Sequence, residues 1–187
     1  MNKEVLKVMA SRLDDEKGAV IILDQTALPN QTIYKTHTTK ETIWEAINKL
    51  EVRGAPAIGI AAAYGIYVVM NKSLADNFNA FYEEFKTVKS YFSSSRPTAV
   101  NLFWALDRME NCLYKNRDKG IAEIKQALRE EAEAIRREDE EVCKMIGENA
   151  LTLLKPGMGL LTHCNAGTIA TSKYGTALAP IYLGEER

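Results

Sequence analysis

The chain has 187 residues, 46% hydrophobic and 26% charged, enough apolar side chain to bury a core beneath a polar surface. Its 24 basic and 25 acidic residues leave a formal net charge of −1, so composition offers no general reason to expect nucleic acid or an anionic membrane as partner, and any anion site has to be local. Three scattered cysteines (Cys112, Cys143, Cys164) and two histidines (His37, His163) argue against a disulfide framework or a zinc cluster, and no metal site is expected.

Residues 1–15 read as a short amphipathic helix, with Val5, Leu6, Met9 and Leu13 on one face, and show no secretory signal pattern. The runs "AVIILDQ" (Ala19–Gln25) and "QTIYKTH" (Gln31–His37) flank the turn residues of "TALPN" and predict an antiparallel strand pair. Thr38 or Thr39 is placed to cap a helix over Lys40–Leu50 whose buried face carries Ile43, Trp44, Ile47 and Leu50. Ala55–Met70 is apolar nearly all round. It is shorter than the roughly 20 residues a membrane span needs, so it predicts a central buried helix.

An amphipathic helix follows over residues 74–91, carrying Phe78, Phe81, Tyr82, Phe85 and Val88. "SSSRP" interrupts it, and a further helix runs over Thr98–Lys115. Residues Lys119–Leu154 predict one long helix whose Glu/Arg-rich stretch is a solvated face. "KPGMG" ends it. A strand over Met158–Thr162 and a helix after Gly167 would then open an α/β unit. The expected class is α/β with an α+β first part. Residues 1–118 form a mostly helical domain with a small antiparallel sheet. Residues 119–187 form a connecting helix and the first βα unit of an incomplete Rossmann-like parallel-sheet domain.

Three segments carry candidate chemistry. In "VRGAPAIG" (Val52–Gly59), Arg53 and Gly54 precede Pro56 in what reads as a first helical turn, so free backbone N–H groups and a guanidinium could hold an anion. An ordinary loop with an ion-paired Arg is the plainer reading. "SSSRPTAVN" (Ser93–Asn101) repeats the arrangement with Arg96, where an N-capped helix with an exposed Arg is the plainer reading. "THCNAG" (Thr162–Gly167) places His163, Cys164 and Asn165 at a predicted strand end, where open α/β sheets bind ligands. Locally, Cys164 reads as chemistry or as packing, and His163 as a core histidine or a functional one. Asp24 in "LDQTALP" reads as a turn residue, Cys112 and Cys143 as core, and Tyr34, Tyr64 and Tyr67 as core or interface aromatics.

Taken together, "LDQTALP", "VRGAPAIGIAAAYG", "RPTAVNLFWALDRM" and "LLTHCNAGTIATSKYGTAL" resemble, in order and spacing, the methylthioribose-1-phosphate isomerases. That family is related to the regulatory subunits of translation initiation factor 2B. The likeness spans residues 18–183. It implies an aldose–ketose isomerisation in methionine salvage, turning 5-methylthioribose 1-phosphate into 5-methylthioribulose 1-phosphate without metal or organic cofactor. It implies Cys164 as the catalytic residue, framed by Asn165, Ala166 and Gly167. Arg53, Gly54, Ala55 and Arg96 would bind the substrate and its phosphate. It also implies a cytoplasmic homodimer with no nucleic-acid or membrane partner. The family's catalytic Asp, a binding Gln and an Asn-Lys pair would lie beyond residue 187. The chain alone is therefore expected to be inactive until a C-terminal half is supplied. A 5-deoxyribose 1-phosphate isomerase and a non-catalytic factor-2B-like module are the competing expectations.

Overall fold

The structure, a computed structural model, describes residues 8–185. Three antiparallel strands, β1 (Ser11–Asp14), β2 (Ala19–Leu23) and β3 (Tyr34–His37), form a sheet in the order β1-β2-β3. Ser11 faces Ile22 in the first pair, and Val20 faces His37 in the second. All five residues of β2 are buried, and Val20 and Ile22, two apart and thus on one face, join the main core.

Five helices follow: α1 (Lys40–Asn48), α2 (Ala55–Met70), α3 (Phe78–Ser93), α4 (Val100–Lys115) and α5 (Ile121–Leu151). After a 3-10 turn at Thr168–Ala170, α6 (Ala179–Glu185) closes the described region. Helix α2 is the centre: 13 of its 16 residues are buried, and β1, β2, α1, α3, α4 and α5 all touch it. Each fully buried Ile or Val on it contributes about 1.5–3 kcal/mol. Gly59 allows α4 to approach closely, since a Cβ there would stand 2.8 Å from the Asn101 carbonyl. Ile124, Leu128, Ala132 and Ile135 of α5 belong to the same core. Among the described residues no helix is long and apolar enough to cross a membrane.

The predicted helix over residues 1–15 is not formed where the structure describes it: Ser11–Asp14 is β1. Gly18, at φ +55, closes the turn to β2 through its N–H on the Asp15 carbonyl at 3.1 Å. Ladder bonds to a buried strand outweigh the weak helical preference of a four-residue stretch. Val5 and Leu6 lie outside the described residues. Leu50 also departs from expectation, since it is exposed with φ +64. It occupies the left-handed position of a Schellman ending to α1. Leu50 N–H donates to Ile47 O (3.3 Å) and Glu51 N–H to Ala46 O (2.9 Å). That reversal turns Leu50 outward and sends Glu51 inward.

The strand expected over Met158–Thr162 is not formed. Leu160 and Leu161 are exposed, the latter fully. A strand needs a neighbouring edge for its backbone bonds, and β1–β3 pair only among themselves. The helix expected directly after Gly167 is only the 3-10 turn, and regular helix resumes at Ala179.

Candidate active site

The site is built on a polar platform beneath the sheet end. The Asp24 carboxylate accepts from Thr26 N–H (2.9 Å) and Thr26 Oγ1 (2.6 Å), and Lys35 Nζ lies 2.8 Å from it. Burial pushes the Asp24 carboxyl up, but Lys35 and Thr26 together hold it below the usual carboxylate range. Lys35 also donates to Glu51 Oε1 at 2.6 Å, and its own pKa is raised by these two carboxylates. His37 Nε2 stands 3.1 Å from Glu51 Oε2, and among the described residues neither buried atom has another hydrogen-bond partner. Burial, helped by the Lys35 charge, keeps His37 below its ordinary value despite Glu51. Backbone bonding joins the platform's two sides, Gln25 N–H to Glu51 O at 3.0 Å.

From Glu51 the chain passes directly into the start of α2. Gly54 is its N-cap and offers no side-chain cap, and Pro56 occupies the first turn. Ala55 and Arg53 are exposed. The N–H groups at the start of this 16-residue helix have no intrahelical acceptor, and the helix dipole adds positive potential there. Arg108, Arg129 and Arg136 are held by carboxylates, whereas among the described residues neither Arg53 nor Arg96 is. A free guanidinium beside an uncapped helix start is suited to a phosphate.

Half-buried Arg96 sits in the turn before α4. Asn48 Nδ2 donates to Ser95 O (3.0 Å) and Trp44 Nε1 to Ser94 Oγ (2.9 Å), so α1 holds this turn from one side. From the other side, the Gly59–Asn101 approach brings the first turns of α4 against α2. Both arginine segments are thereby tied to α1 and α2.

Cys164 is exposed, with φ +65, a left-handed conformation uncommon for a side chain with a Cβ. His163 and Asn165 are exposed beside it, while Gly167 is buried. The segment is anchored just downstream. Ala166 O accepts from Thr176 N–H at 2.9 Å, and Gly175 (φ +74) packs so tightly that a Cβ would stand 2.2 Å from that same carbonyl. Ser172 N–H donates to Asp139 Oδ2 on α5 at 2.6 Å. Most informative is Gly54, where a Cβ would stand 2.2 Å from Ala170 Cα. The "VRGAP" and "NAGTIA" segments thus meet backbone to backbone. Of the two local readings of Cys164, packing is the one its exposure rules out. Cys112 and Cys143 are core, as expected, and burial pushes their thiols up to about 11.

A family model described as the initiation factor 2 subunit family matches residues 51–182. The chain belongs to the initiation factor 2 subunit family. Within it, the chain is 65% identical over 175 residues to a methylthioribose-1-phosphate isomerase of Symbiobacterium thermophilum, covering 94% of this chain and 49% of that protein. It is 57% identical over 182 residues to a 5-deoxyribose 1-phosphate isomerase of Petrotoga mobilis, covering 97% and 52%. The fold matches a 5-methylthioribose 1-phosphate isomerase from Pyrococcus horikoshii at a TM-score of 0.91 and 33% identity, over 100% of this chain and 52% of that one. It matches the delta subunit of translation initiation factor eIF-2B from A. fulgidus at 0.85 and 34% identity, over 96% and 52%. The chain spans about half the length of the curated relatives it matches.

Two residues that hold the loop after Cys164, Gln25 and Asp139, carry no such role in the sequence reading. Gln25 follows Asp24 in "LDQTALP" with no role of its own, and Asp139 reads as one charge of a solvated face. A signal existed for Gln25: a neutral amide two residues past a wholly apolar strand has to find a partner once buried.

Proposed function

We propose that this chain carries the phosphate-binding and cysteine portion of a sugar-phosphate aldose–ketose isomerase. Its substrate would be 5-methylthioribose 1-phosphate and its product 5-methylthioribulose 1-phosphate, a step of methionine salvage. The observation that carries this reading is the contact of Gly54 with Ala170, which sets an uncapped helix start with a free arginine against the loop bearing an exposed cysteine. The names of the 65%- and 57%-identical relatives support the reaction class.

The chemistry matches that inventory. A 1-phosphate locks the sugar as a ring, so the ring oxygen needs a proton before a C2 hydrogen can move to C1. Arg53, Arg96 and the α2 N–H groups would hold the dianion. Asn165, Ala166 and Gly167 would frame Cys164 as an acid/base group beside the reacting carbons. The remaining groups would come from the half of the relatives' length that this chain does not span. Residues 119–187 would then lead into a Rossmann-like sheet in which Met158–Thr162 gains its strand partners. We place the assembled enzyme in the cytoplasm as a homodimer.

The test is turnover of methylthioribose 1-phosphate and of 5-deoxyribose 1-phosphate by the chain, alone and mixed with the remaining half of the Symbiobacterium relative. The chain alone should be inactive and the mixture active, with the preferred sugar decided by the ratio of kcat/KM. Turnover by the chain alone would overturn the half-site reading. A second reading, a non-catalytic regulatory module, is favoured by the likeness to the eIF-2B delta subunit. It predicts no turnover in any mixture and no effect of Cys164→Ser.

A further inference from the structure

Gln25 is 3% exposed, two residues past the end of the central strand β2. Its Nε2 donates to Ile169 O at 3.0 Å, across 144 residues of sequence. Its other amide atom, Oε1, is buried with no hydrogen-bond partner among the described residues. A buried acceptor left unpaired costs about 1–3 kcal/mol, more than one neutral hydrogen bond typically returns. Leu or Met would fill the same space without that cost, so stability alone does not account for an amide here.

The bond's position does account for it. Gln25 stands on the platform, its own N–H on Glu51 O and its neighbour Asp24 clasped by Thr26 and Lys35. Ile169 lies in the 3-10 turn, five residues past Cys164 and one before Ala170, the residue that abuts Gly54. The far side of the loop is held by the Ser172–Asp139 and Thr176–Ala166 bonds. We propose that Gln25 is a positioning residue: its amide pins the turn at Ile169 and so sets where Cys164 stands relative to Arg53 and the start of α2. It touches neither the substrate nor the thiol. This role rests on the proposed reading of Arg53 and Cys164 as parts of one site.

The test uses the 187-residue chain, inorganic phosphate and iodoacetamide, with the alkylated cysteine located by peptide mapping. Cys112 and Cys143 are buried, so Cys164 is the thiol that reacts first. In the parent, phosphate should slow Cys164 alkylation at least fivefold. Gln25→Met keeps size but removes the donor, and Gln25→Asn keeps the amide but is one methylene too short to reach Ile169. In both, phosphate should bind within twofold of the parent while the protection of Cys164 falls below twofold. A merely structural role would lower Tm and leave that coupling intact in the folded fraction. Full protection in either folded variant overturns the proposal. If phosphate binds neither parent nor variants, the anion site itself is wrong. The positioning role is then decided by the alkylation rate without phosphate: at least threefold faster in the variants supports it, and unchanged overturns it.

Discussion

Gly54 and Ala170, 116 positions apart, pack so closely that a Cβ on the glycine would overlap the alanine backbone at 2.2 Å. One residue type therefore decides whether two candidate binding segments touch. Gly54→Ala cannot be absorbed by a rotamer change, because the atoms in the way are backbone. It should destabilise the chain by about 1–3 kcal/mol through overpacking, or push residues 166–172 away from α2. Urea denaturation measures the first and amide exchange at residues 166–172 the second. A variant matching the parent in both would mean that the contact is not made.

The two arginines should contribute to anion affinity and little to folding, since neither is engaged by a carboxylate among the described residues. Arg53→Ala and Arg96→Ala should each weaken binding of inorganic phosphate at least tenfold, about 1.4 kcal/mol. Arg53→Lys should recover only part of the loss, because an ammonium lacks the planar fork. Calorimetric titration reports this directly. Equal affinity in parent and Arg53→Ala would remove that residue from the site.

Cys164 is exposed, so Cys164→Ser should leave Tm within about 1 °C of the parent, as surface substitutions away from packed features usually do. In the assembled enzyme the same change should lower kcat by about 10²–10⁴, the range ascribed to acid/base groups, with KM nearly unchanged. Wild-type turnover would assign the loop a different role.

Acid should weaken the fold in two stages. His37 is held below its ordinary value by burial, so the unfolded chain takes up protons first, and stability present above about pH 6.5 declines below it. Asp24 is also depressed in the folded state. Its contribution is intact above about pH 4 and is lost as pH falls through the folded value. A Tm profile from pH 7 to pH 3 should show both limbs, and His37→Asn should flatten only the upper one. An upper limb unchanged in His37→Asn would show that another group causes it.

What the sequence by itself determined was the five helices between Lys40 and Leu151, and it marked three segments as candidates for binding chemistry. The period of apolar residues over Ala55–Met70 or Phe78–Val88 depends only on which side chains avoid water, and that is written locally. Pro56 after Arg53–Gly54 marks a helix start for the same reason. Everything that required a distant partner was decided by the tertiary structure. Ser11–Asp14 became a strand because β2 offered its edge, and Met158–Thr162 did not because none of the described strands offered one. Whether Cys164 was packing or surface depended on a left-handed turn in a segment anchored by Thr176, Asp139 and Gln25. Asp24, Lys35 and Glu51 form one charge cluster only after β2, β3 and the α1–α2 turn have met. The close approach of Gly54 to Ala170 and the reach of Gln25 to Ile169 are long-range pairings, and no local periodicity encodes them.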